Sequence, residues 1–203
     1  MPFSLWPSPP WEDVTYWALD LETGGLDPRR HAILAVGMVP VRAATVRLGE
    51  AFESLVRPER GEDIREDSVR THQLVPGEVA AAPPLASVLR EVDRRLAEGA
   101  LLVHHAAIDV RFLRRAYRSM GLRWRDPRVV DTVDLLFRLA RKERFTNPGA
   151  PDREPAVNLA AARRRFGLPD YAAHHALTDA VATAELFLVL RRALGARTLR
   201  DLR

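Results

Sequence analysis

Residues 14–22 (VTYWALDLE) alternate in polarity and are rich in β-branched and aromatic side chains, which predicts a strand. Gly24-Gly25 and Asp27-Pro28 follow with turn chemistry and end it. Residues 31–42 (HAILAVGMVPVR) predict a second strand and 44–57 a third, with Gly49-Glu50 in or near a turn. Three strands joined by short turns make an antiparallel meander. The stretch 58–84 is polar, acidic and irregular. Beyond it the period changes. Residues 85–98 predict an amphipathic helix stopped by Gly99, 101–104 a short buried strand, and 107–120 a second amphipathic helix stopped by Gly121. Val129-Val130 predicts a further strand leading into a helix over 132–141. Residues 146–155 form a proline-rich loop, and helices over 157–166 and 178–193 close the chain. A meander followed by alternating helices and short strands predicts an α/β fold with one mixed sheet and helices on its faces. The domain is expected over 14–195. Residues 1–13 form a Pro/Trp-rich extension expected to pack on it, and 196–203 a short tail, too short for a long C-terminal tether.

Composition narrows the class. With 203 residues, 47% hydrophobic and 29% charged, the chain is expected to be globular rather than disordered. It has 0 Cys, which excludes disulfide scaffolds, thiolate zinc sites and cysteine nucleophiles together. No apolar run approaches the roughly 18 residues of a membrane helix, and the N-terminus lacks a basic segment followed by an apolar core. A cytoplasmic protein with no membrane partner is expected. The net charge of +4 is modest, and Lys142 is the single lysine among 31 basic residues. Arginine suits phosphate recognition because its fork binds two oxygens at once. Seven arginines fall between 111 and 128; such runs are most often solvated helix faces, and a phosphate-tracking surface is the functional reading.

Three short clusters carry candidate chemistry. Asp20 and Glu22, two apart on a strand, point to one face; two acids there repel unless a cation joins them. His104 and His105 end a buried strand, where an α/β sheet presents functional groups. Asp109 falls in the first turn of the following helix, favoured by its dipole even if it is only a cap. His174, His175 and Asp179 form the third cluster. If Thr178 starts the last helix, His174 lies on the preceding loop and folds back beside Asp179, while His175 is a surface or packing residue. Together Asp20, Glu22, Asp109 and Asp179 offer hard oxygen ligands suited to Mg²⁺ or Mn²⁺ rather than Zn²⁺. Two such ions about 3.5–4 Å apart clamp an in-line phosphoryl displacement, and a histidine can take the proton from the attacking water.

In that order, YWALDLETGGLDP, LLVHHAAIDVRFL and HHALTDAVATAELF resemble the three motifs of the DnaQ-like 3′–5′ exonucleases of the DEDDh type. The resemblance runs from about Val14 to Leu194 and is reinforced by ESLVRPE, THQLVPGEVAAAPP and VVDTVDLLFRL. It implies a ribonuclease-H-like fold and a two-metal exonuclease acting on the 3′ ends of single-stranded DNA or RNA, with DNA favoured. The products would be nucleoside 5′-monophosphates, a DNA polymerase subunit is a candidate partner, and the assembly would be a monomer or homodimer. Carried over, Asp20, Glu22 and Asp179 hold one ion, Asp20 bridges to the second with support from Asp109, and His174 is the general base. Thr23, Gly24 and Leu26 receive the terminal nucleotide, and His104, His105 and Ile108 complete its pocket. Two positions depart from the family's pattern: His105 replaces the usual Asn and Ile108 the usual aromatic, which bears on substrate preference. Two alternatives compete. A catalytically silent binding module would not need so costly a charge cluster. A zinc hydrolase is opposed by adjacent rather than helically spaced histidines and by the absence of H-E-x-x-H.

Overall fold

The computed structural model describes residues 8–59, 63–65, 76–147, 154–172 and 174–203. Its centre is strand β1 (Thr15–Thr23), which pairs antiparallel with β2 (Ile33–Arg42) on one side and parallel with β5 (Gly99–Val103) on the other. Short strands β3 (Thr45–Val46) and β4 (Phe52–Leu55) both pair with β2, and β6 (Arg128–Asp131) pairs parallel with β5. The result is a six-stranded mixed sheet ordered β3-β2-β1-β5-β6, with β4 also on β2. This is the α/β, ribonuclease-H-like architecture expected, an antiparallel meander continued by parallel strands.

Because strand side chains alternate, β1 feeds two separate cores. Tyr16 and Ala18 join Val39, Val41 and Leu102 under helices α4 (Thr132–Thr146) and α6 (Ala176–Leu194). Trp17, Leu19 and Leu21 join Met38, Leu101 and Val103 under α2 (Leu85–Leu96) and α3 (Ala106–Ser119). Both faces of the sheet are therefore covered, which is why β2 reads as a nearly continuous apolar run. The smaller helices α1 (Pro76–Ala81) and α5 (Leu159–Arg165) complete the layers. Among the described residues no helix is long and apolar enough to cross a membrane.

Several boundaries differ from expectation for identifiable reasons. The third strand, expected over 44–57, is two pieces separated by a 3₁₀ turn at Leu48–Glu50. The chain reverses earlier, at Ala43 and Ala44, both left-handed with φ of 45° and 62°. Such a turn suits the twist of a hairpin, but alanine gives no sequence signal for it. Gly99 does not stop a helix; it opens β5. A Cβ there would lie 2.5 Å from the Thr15 carbonyl oxygen, so glycine permits the close approach of β5 to β1. Within 58–84, α1 forms where no regular element was expected, while 60–62 and 66–75 lie outside the described residues. The helix expected over 132–141 continues to Thr146 through strong helix formers (RKER).

The two ends of the described chain meet. Trp11 is buried against Phe187, with the Arg191 guanidinium 4.0 Å from its ring centre. Trp11 N–H donates to Arg197 O at 3.0 Å and Leu199 N–H to Pro9 O at 3.1 Å. Leu199 and Leu202 enter the same core.

Candidate active site

The alternation that sends Tyr16 and Ala18 toward α6 continues along β1 to Asp20 and Glu22, so both carboxylates emerge on the α6 face. Gly37 lies opposite Asp20 in β2. A Cβ on Gly37 would sit 2.2 Å from the carbonyl carbon of Ala176 and 2.3 Å from Leu177 N. Only glycine lets the first turn of α6 rest on the sheet there, and that contact brings Asp179 beside Asp20. Ligand oxygens of Asp20, Glu22 and Asp179 all lie within 4.8 Å of one another. Asp109, buried in the first turn of α3, stands outside that tight set but within its electrostatic reach.

Crowding shows in the acid strengths. Asp20 is pushed well above the usual carboxylate range, first by burial and then by the charges of Asp109, Glu22 and Asp179. Burial raises Asp109 in the same way, with Asp131 and Glu22 adding to it. Asp179 is raised by burial, against which the His174 backbone N–H pulls down. Buried like charges without a cation are unfavourable. Three convergent carboxylates form an all-oxygen donor set, and that set fits a hard divalent cation such as Mg²⁺ or Mn²⁺.

His174 takes a left-handed backbone, φ 70°, and its N–H donates to Asp179 Oδ2 at 2.9 Å. The loop thus folds back over Asp179 although the helix starts at Ala176, two residues before the expected Thr178. His174 lines the cleft. His175 does not; its Nδ1 lies 3.4 Å from Glu53 Oε1.

The second histidine pair is held differently. His104 Nδ1 is 2.7 Å from Thr132 Oγ1, and Nε2 of both His104 and His105 approaches Val157 O, at 2.7 and 3.0 Å. A carbonyl only accepts, so each ring donates from Nε2. Burial, first among the causes, pushes His104 down to about 4. His105 is left-handed at φ 75° and begins α3. Asn and His are both enriched in that conformation, so either residue suits this position. The Asp131 carboxylate accepts from the N–H groups of His105, Ala106 and Val133, clamping the starts of α3 and α4 together.

The outer wall is the turn after β1. Thr23 Oγ1 donates to Gly25 O at 2.9 Å, and Gly24 N–H to Ala32 O at 2.8 Å. Leu26 projects into solvent, 79% exposed. A cavity of about 430 Å³ gathers Asp20, Glu22, Thr23, Leu26, His104, His105, Ile108, Asp109, His174 and Asp179, together with Leu21, Gly25 and Arg65. Of the residues expected at the site, Gly24 alone does not line it. A larger cavity of about 550 Å³, bordered by Arg90, Asp93, Tyr117 and Arg123, holds none of them. The smaller one gathers the four carboxylates and His174.

Sequence reasoning overlooked four contributors. A glycine in mid-strand was a readable signal for Gly37, and Asp131-Thr132 reads as a helix start. Val157 O and Arg65 left no such trace.

The family model described as "Exonuclease" (RNase T) matches residues 17–187. A DNA polymerase III subunit epsilon-like protein of Rhodobacter capsulatus is 38% identical over 194 residues, 94% of this chain and 25% of that protein. A PolC-type DNA polymerase III of Thermotoga maritima is 28% identical over 87% of this chain and 12% of its own length. The chain thus spans about a quarter or less of these relatives. Among solved structures, E. coli exonuclease I in complex with a dT13 oligonucleotide superposes with a TM-score of 0.74 at 17% identity, over 90% of this chain and 42% of that one. The nuclease domain of 3′hExo, a DEDDh family member bound to rAMP, superposes with 0.68 at 16% identity, over 90% and 93%. The fold and the family model agree: this chain belongs to the exonuclease family.

Proposed function

We propose that this chain hydrolyses the terminal phosphodiester bond at the 3′ end of a single-stranded nucleic acid, DNA favoured, and releases a nucleoside 5′-monophosphate. The observation that carries the reading is the meeting of Asp20, Glu22, Asp109, Asp179 and His174 in one cleft beside the exposed Leu26. Asp20, Glu22 and Asp179 would hold one divalent ion, and Asp20 with Asp109 would hold a second. When bound, two such ions stabilise charge on the attacking and leaving oxygens of an in-line displacement.

The protein's own groups do the rest. A ring nitrogen of His174 takes a proton from water as the water oxygen bonds to phosphorus. The bond from phosphorus to the 3′-oxygen of the preceding nucleotide breaks, and that oxygen is protonated by solvent. Leu26 packs against the terminal base, while Thr23 borders its sugar. The oligonucleotide and rAMP held by the two solved relatives support a strand end as substrate, and the names of the sequence relatives support a replicative polymerase as partner.

A time course on matched 5′-labelled and 3′-labelled single strands of DNA and RNA, with Mg²⁺, Mn²⁺ or EDTA, tests this. Stepwise shortening of the 5′-labelled strand that EDTA abolishes is expected. No cleavage in either metal would replace the enzyme with a silent binding module.

A further inference from the structure

The cleft is lined by four carboxylates, yet a single strand brings one negative charge per nucleotide. Ions held by Asp20, Glu22, Asp109 and Asp179 would offset charge at the scissile phosphate, and the neighbouring phosphates would need another cation. Among the described residues lining the cleft, Arg65 is the single lysine or arginine. We infer that Arg65 grips a backbone phosphate of the bound strand next to the scissile one, and so acts as a substrate-binding residue. The inference rests on the exonuclease reading and adds a specific contact to it.

Geometry fixes where that guanidinium starts. Residues 63–65 form a strap stitched to the turn that follows β1. Asp63 N–H donates to Arg30 O at 2.7 Å, Ala32 N–H to Asp63 O at 3.3 Å, and Arg65 N–H to Gly24 O at 3.0 Å. The Arg30 guanidinium adds an ion pair to Asp63 at 3.1 Å. A Cβ on Gly24 would lie 2.7 Å from Asp63 O and 3.1 Å from Ile64 Cα, so glycine is what allows the strap to lie flat against the turn. Arg65 and the exposed Leu26 therefore stand on the same turn and line the same cleft as the acids. An apolar side chain beside a planar fork suits a base face beside a phosphate, and the fork can bind two phosphate oxygens at once.

The test compares Arg65→Gln, which removes the charge, with Arg65→Lys, which keeps it. Steady-state shortening of a 5′-labelled single strand is measured over a salt series. Arg65→Gln is expected to raise KM roughly tenfold with kcat nearly unchanged, and to reduce the slope of log(1/KM) against log[salt] by about 0.7. Arg65→Lys is expected to retain the slope. An unchanged KM and slope in Arg65→Gln would overturn the inference. So would an equal loss of slope in both variants accompanied by a lower melting temperature, which would place the effect in the strap's folding. If the wild-type protein shortens no strand, the exonuclease reading fails separately. Fluorescence anisotropy of the uncut strand in the same Mg²⁺ buffer then reads the same slope difference, and its absence would overturn the Arg65 contact as well.

Discussion

Helices α3 and α6 begin alike and serve different ends. Each carries an aspartate in its first turn, Asp109 in one and Asp179 in the other, and each is entered through a left-handed histidine, His105 at φ 75° and His174 at φ 70°. At α3 the entry is locked. Asp131 accepts two of its N–H groups, and the rings of His104 and His105 are both tied to Val157 O. At α6 no neighbouring carboxylate of that kind intervenes among the described residues. Asp179 itself accepts the His174 N–H, and the His174 ring stays in the cleft. One construction that turns backbone N–H groups and a carboxylate toward the end of a sheet is thus locked by Asp131 and Val157 on one side. On the other it leaves His174 in the cleft, where the proposed function needs a proton acceptor.

Asp20, which faces both helix starts, is where that contrast breaks most severely. Asp20→Asn should lower kcat by roughly 10³-fold or more. The same change should raise the melting temperature of the metal-free protein, because it removes a buried like charge; a lower melting temperature would contradict the crowding described above. His174→Ala should lower kcat by roughly 10²–10⁴-fold with KM and melting temperature little changed. Wild-type kcat in that variant would remove His174 from the proton transfer.

On the scaffold side, His104 should make stability fall with acid. Its pKa is about 4 when folded, against the ordinary histidine value of 6.5, so the unfolded chain binds the extra proton first. Stability is complete above the unfolded value and lost as pH drops toward the folded one, by about 3 kcal/mol in full. The raised carboxylates of Asp20, Asp109 and Asp179 act with the opposite sign, gaining as pH falls. The difference between wild type and His104→Asn isolates the histidine: in chemical denaturation between pH 7 and 4, the stability of the wild type relative to the variant should fall as pH drops. The smallest effect is expected from His105→Asn. Asparagine takes the left-handed conformation readily, so stability should rise by up to about 1 kcal/mol, and a destabilised variant would show that the His105–Val157 bond outweighs backbone preference.

Much of this was readable because it is local. The period of two that puts Asp20 and Glu22 on one face, the strand end at His104, and the loop-to-helix entry at His174 all follow from spacings of a few residues. What escaped depends on distant approach. Gly37 matters because α6, far along the chain, lies on it; Gly99 passes for a helix stop until β1 is placed beside it. Arg65 sits in an acidic, irregular stretch, and it reaches the cleft through its own hydrogen bond to Gly24 and those of Asp63 to Arg30 and Ala32. The reversal at Ala43 and Ala44 carries no turn residue at all.

The division between scaffold and chemistry is tested most directly by measuring kcat and metal-free melting temperature together for Asp179→Asn and Asp131→Asn. Asp179→Asn should abolish turnover without lowering the melting temperature. Asp131→Asn should cost about 1–3 kcal/mol of stability through its weakened hydrogen bonds while the folded enzyme still turns over. Loss of activity without loss of stability in Asp131→Asn, or the reverse in Asp179→Asn, would contradict the account.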